Sequence, residues 1–92
     1  MQRDQNYALG TIGDLYFVHN VHPADFPMVG DMLTTNETGA FLWENLEKEI
    51  SLDELSGILA AYYEIDIEMA KQDTIAFLKQ LEQIGAIKNI GA

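Results

Sequence analysis

Two runs of strand-forming residues, YALGTI at 7–12 and LYFVHN at 15–20, stand two residues apart, and those two are Gly13 and Asp14. A two-residue connection with glycine first fits a type II′ turn, so the runs are predicted to form an antiparallel hairpin. Next comes HPADFPMVGD, a loop by its Pro23, Pro27 and Gly30. MLTT at 32–35 then reads as a short third strand that leads directly into Asn36. Three strands with one apolar face need a helical layer to cover them.

The second half of the chain supplies that layer. Asn36 has a side-chain oxygen suited to a free N–H of a first helical turn, and Glu37 suits the positive end of the helix dipole. A helix is predicted over 37–48, with Gly39, Leu42, Trp43 and Leu46 facing inward by 3.6-residue periodicity and Ile50 just beyond its end. Gly39 is the oddity. Glycine costs roughly 0.5–1 kcal/mol against alanine inside a helix. On the inward stripe, its missing Cβ would let the helix approach another backbone closely. Ser51-Leu52-Asp53-Glu54 is a capping box that opens a second helix, 52–63, with Ile50 placed to staple onto Leu55. Its stripe is Leu55, Ile58, Leu59 and Tyr62. Asp66 opens a third helix, predicted to span 67–84 and to stop at Gly85 in a left-handed cap, with Ile87 available for the hydrophobic contact that follows such caps.

The third helix is wider in its apolar arc than one packing contact requires. At about 100° per residue, Ala70, Thr74, Phe77, Leu81 and Ile84 fall within about 40° of one line. Leu78, Lys71, Glu82 and Ile75 form an adjacent stripe about 80–140° away. Lys79, Gln72, Gln83, Ala76, Gln80 and Asp73 make the far side. Either the helix packs on two neighbours, or Ile75 and Leu78 line a groove. Trp43 and Tyr62 read as core aromatics. Phe41 points away from the stripe of the first helix, so it either packs on the strands or is exposed.

Composition narrows the function. The 92 residues suit one small domain with a thin core, to which self-association or a bound partner matters. There is no cysteine, which excludes disulfides, thiol catalysis and Cys-based metal sites. No apolar run approaches the ~18 residues of a membrane span, and MQRDQNYALG lacks the apolar region of a signal peptide, so a cytoplasmic protein is expected. Fifteen acidic against five basic residues give a net charge of −10. Nucleic-acid binding neutralises phosphates with Lys and Arg, and 67–84 carries Lys71 and Lys79 against Glu68, Asp73 and Glu82, so a duplex is an unfavourable partner. No phosphate-binding loop, nucleophile elbow or EF-hand pattern occurs. His19-x-x-His22 with Asp25 nearby has the residue types of a zinc site, but two histidines at a strand end and in a loop more often are simply solvated. No carboxylate pair stands out as a general acid and base, so the chain is read as a non-enzyme without cofactor.

The segment TTNETGAFLWENLEKEISLDELSGILAAYY, followed by a helix closing in LEQIGAI, resembles the pyrroloquinoline quinone synthesis protein D (PqqD) family. The matching residues are Asn36, Glu37, Thr38, Gly39, Ala40, Trp43, Leu55, Phe77, Leu78, Leu81, Gly85 and Ile87, over about 30–88. The resemblance implies an α+β, winged helix-turn-helix-like fold: a three-stranded antiparallel sheet followed by three helices. It also implies a peptide-binding chaperone for ribosomally made, post-translationally modified peptides. Such a protein holds the leader of a precursor peptide and presents it to a modifying enzyme, often a radical SAM protein. In the family the leader adds as a further strand on the edge of the third strand, in a groove against the last helix.

The residues fit that implication. A short third strand, with Met32, Leu33 and Thr34, is an edge open to strand addition. Each backbone hydrogen bond contributes roughly 0.5–1.5 kcal/mol net, while ordering one peptide residue costs about 1–2 kcal/mol. Apolar anchors must therefore add the surplus, each up to roughly 1.5–3 kcal/mol. Ile75 and Leu78 are the expected pocket walls. Lys71 and Lys79, with Glu82 beside them, flank these walls, and the two cations would suit an acidic leader. The alternatives are a DNA-binding winged helix and an assembly subunit whose strand edge pairs with itself as a homodimer.

Overall fold

The structure is a computed structural model and describes residues 1–21 and 32–88. Strand β1 (Gln2–Arg3) is followed by β2 (Tyr7–Ile12), β3 (Leu15–Asn20) and β4 (Met32–Thr35). Helices α1 (Glu37–Asn45), α2 (Leu52–Tyr63) and α3 (Ile67–Gln83) come next, and β5 (Ile87–Lys88) closes the described chain. This is an α+β fold in which a three-stranded antiparallel sheet, in the order β2-β3-β4, precedes three helices. The three predicted strands are found at their predicted positions.

The hairpin turn behaves as its sequence requires. Ile12 pairs with Leu15, so Gly13 and Asp14 are the whole connection. Gly13 has a φ of +60° while Asp14 is not left-handed, the sign pattern of a type II′ turn. Strand β4 then pairs with β3, Leu33 opposite Val18 and Thr35 opposite Tyr16. Val18 is fully buried and Leu33 packs against the core, so this face of the sheet meets the helices. Met32 and Thr34 point the other way and are exposed.

The core joins Val18 of the sheet to Leu42, Trp43 and Leu46 of the α1 region, Leu55 and Leu59 of α2, and Ala70, Phe77, Leu78 and Leu81 of α3. The caps are those expected. Asn36 Oδ1 accepts from the Gly39 N–H at 2.9 Å, Ser51 Oγ from the Glu54 N–H at 3.1 Å, and Asp66 from the Glu68 N–H at 3.0 Å. The end of α3 is a Schellman motif: Ala86 N–H donates to Leu81 O at 2.9 Å and Gly85 N–H to Glu82 O at 3.0 Å, with Gly85 at φ +79°. Ala86 and Ile87 are buried beyond it.

Four expectations are corrected. Helix α1 ends at Asn45, not 48, and carbonyls at and just beyond its end serve other donors. Trp43 O accepts from Arg3 Nη1 at 2.9 Å and Leu46 O from the Arg3 N–H at 3.0 Å. The N-terminal residues, unassigned from sequence, thus lie along 46–50, and β1 pairs with β5. Tyr62 is 64% exposed and Ile58 is 37% exposed, so neither belongs to the core stripe of α2. Phe41, expected on the strands or exposed, is half-buried and stacks on Tyr62 with ring centroids 4.3 Å apart. Finally, the atoms closest to Gly39 are not backbone. A Cβ there would collide with Thr35 Oγ1 and come within 3.0 Å of the Phe77 ring.

Candidate functional site

The site follows from how β4 runs into α1. Among the described residues β4 has β3 on one side and no strand on the other. Asn36 is the single residue between strand and helix, and it caps α1. Thr35 is thereby folded over the first turn of α1, into the space left by the missing Cβ of Gly39. Beside this joint lies an opening of about 240 Å³. Gly39, Leu42, Ala76 and Phe77 are its apolar lining, and Thr35, Asn36, Thr38, Asp73 and Gln80 its polar lining. It lies between the C-terminal end of β4, the first turns of α1 and the middle of α3.

The predicted site residues divide into two groups. Met32, Leu33 and Thr34 lie on β4 as expected, Leu33 facing the helices and the other two facing out. The α3 residues do not line the opening. Lys71 Nζ is 3.4 Å from Asp53 Oδ1 in the first turn of α2, which fixes that flank of α3 toward α2. Leu78 shares the stripe and is fully buried, and Ile75 is half-buried. The second apolar stripe is thus extra core between α3 and α2, the first of the two readings its width allowed. Leu78 is not a wall of an open groove. Lys79 and Glu82 are exposed and are not among the residues of the opening.

The face that does line the opening is Asp73, Ala76, Phe77 and Gln80, three of which the helical periodicity assigned to the polar far side. Two sequence signals pointed there. Ala76 is the one small apolar residue in that polar arc, and Gly39 is a small residue on the inward side of α1. Small residues on two elements leave room where the elements face each other. Thr35 gave no signal, since its role depends on the turn geometry at Asn36.

Near the joint, the Tyr63 hydroxyl has its pKa raised above the usual tyrosine value, first by burial and then by the charge of Glu37. Tyr63 also contacts the Phe41 ring edge-on, with centroids 5.7 Å apart. His22 and Asp25 of the candidate zinc pattern lie outside the described residues. His19 Nδ1 lies 3.2 Å from Asn20 O, and its ring is 5.3 Å from that of Phe17. Among the described residues no group of three side chains is arranged to hold a metal, and no helix is long and apolar enough to cross a membrane.

Comparison with known proteins agrees with this architecture. The sequence model of a family described as coenzyme PQQ synthesis protein D (PqqD) matches residues 18–87. Among solved structures, the chain is similar to TbiB1 in complex with the TbiA(beta) leader peptide, at a TM-score of 0.66 and 18% identity. The superposition covers 97% of this chain and 100% of that one. No curated protein matches the chain in sequence.

Proposed function

The chain belongs to the coenzyme PQQ synthesis protein D (PqqD) family, and from that we propose that it is a non-catalytic chaperone for a ribosomally made precursor peptide. It captures the leader by strand addition and presents it to a modifying enzyme, of the radical SAM type. The observation that carries this reading is the pairing of an open strand edge with an opening beside it. Among the described residues no strand pairs with the outer edge of β4, and an incoming strand added there would reach, at Thr35, the Gly39, Leu42 and Phe77 opening. Alternate side chains of such a strand point to one face, so every second residue can enter the groove. That TbiB1, similar in fold, is solved in complex with a leader peptide supports leader binding.

Titration of the chain with the synthetic leader of its own precursor tests this. Saturable binding is expected, and no binding at ~50 µM peptide by a chain with an intact thermal transition would remove the proposal. A DNA-binding role is disfavoured by the same helix. The face of α3 on the opening carries Asp73 and no cation, and Lys71 is already paired with Asp53. Self-pairing through β4 is the remaining alternative; sedimentation at several concentrations with and without leader separates it, because a dimer of that kind dissociates when the leader binds.

A further inference from the structure

We infer that the peptide bound along β4 carries a basic side chain opposite Asp73, so that this chain selects a cationic leader over an acidic one. The inference rests on the peptide-binding reading above and adds the charge of the occupant.

Three observations carry it. First, Asp73 lines the opening beside Ala76, Phe77 and Gln80, is exposed, and among the described residues makes no ion pair or hydrogen bond. Three other carboxylates on the α2 and α3 starts are engaged: Asp53 by Lys71, Asp66 by the Glu68 N–H, Glu54 by the Ser51 hydroxyl. Asp73 therefore faces the groove with its charge uncommitted. Second, none of the residues around the opening is cationic. Rotation along α3 at about 100° per residue puts Lys79 about 110° and Lys71 about 170° from the centre of the groove face, so neither offsets Asp73. The other polar groups of the rim, on Thr35, Asn36, Thr38 and Gln80, are neutral and accept or donate hydrogen bonds without preferring an anion. Third, the whole chain carries −10, a field that draws cationic peptides in and slows acidic ones. An acidic leader would approach against that field and bring its own carboxylate to Asp73. The expectation from sequence, an acidic leader held by Lys71 and Lys79, is reversed because those lysines lie on other faces of α3.

The test uses the full chain and the synthetic leader of its own precursor, in variants where each basic residue is replaced singly by Gln or Glu. Affinities are measured for the wild-type chain, Asp73→Asn and Asp73→Lys. Asp73 is exposed, so both variants are expected to keep the wild-type thermal midpoint. Asp73→Asn is expected to weaken binding about threefold at low salt, the size of an exposed ion pair. That difference disappears near 1 M salt, where the screening length is about 3 Å. Asp73→Lys is expected to weaken binding about tenfold and to regain affinity with one particular basic-to-Glu leader. Binding that ignores Asp73 at low salt, the absence of any rescuing exchange, or a bound leader without a basic residue overturns this inference and leaves peptide binding standing. A leader that does not bind the wild-type chain overturns both.

Discussion

On one flank of α3, Leu78 is fully buried, Ile75 is half-buried, and Lys71 reaches across to Asp53 of α2. On the other flank, Asp73, Ala76, Phe77 and Gln80 line an opening of about 240 Å³ at the C-terminal end of β4. The first flank is richer in large apolar side chains, yet it is the second that is open. The difference is that α2 covers the first flank, while the second meets only the joint at Thr35, Asn36 and Gly39 and the opening beside it. Large apolar residues therefore mark where a helix is already packed, and a small residue such as Ala76 marks where space is left for something else.

That contrast can be broken by substitution. Leu78→Ala removes buried methyl groups from the α2 flank and is expected to cost about 2–5 kcal/mol of stability, read from the midpoint of denaturant unfolding. A near-neutral result would mean that this flank is not core. Gly39→Leu places a side chain where Thr35 and Phe77 already sit. Overpacking of about 1–3 kcal/mol is expected, together with loss of leader binding, because the same side chain fills the opening. A thermal midpoint equal to wild type would contradict the crowding at this joint. Ala76→Glu changes an exposed groove residue. It is expected to leave stability within about 0.5 kcal/mol and weaken leader binding at least about tenfold, a loss of about 1.4 kcal/mol. If binding is unchanged, the peptide does not use this flank. Lys71→Ala breaks a pair whose side chains are 43% and 86% exposed. The expected cost is under about 0.5 kcal/mol, with leader affinity unchanged, since the lysine is remote from the groove.

Much of the fold was legible because its signals are local. The turn at Gly13-Asp14, the caps at Asn36, Ser51 and Asp66, and the glycine stop at Gly85 each act over a few residues, and each appears where the sequence puts it. What was not legible depends on contacts distant in sequence. The pairing of β1 with β5, and the donation by Arg3 to the carbonyls of Trp43 and Leu46, join residues forty or more positions apart. The site was half legible for the same reason. The edge strand could be placed from its own residues and its position before Asn36. Which flank of α3 faces that strand depends on where α2 lies, and helical periodicity fixes the angles between stripes without saying what each stripe meets. Hence Leu78 read as a groove wall, and Asp73, Ala76 and Gln80 read as solvated surface.

The central claim is that the leader joins the sheet at β4, beside the Ala76 flank of α3, and not at the opposite edge strand β2. Amide hydrogen exchange of the chain, with and without saturating leader, reads this directly. Leader addition at β4 raises protection at 32–35, with smaller gains in the first turn of α1, and leaves the exchange of 7–12 unchanged. Protection gained at 7–12 with 32–35 unaffected would contradict it.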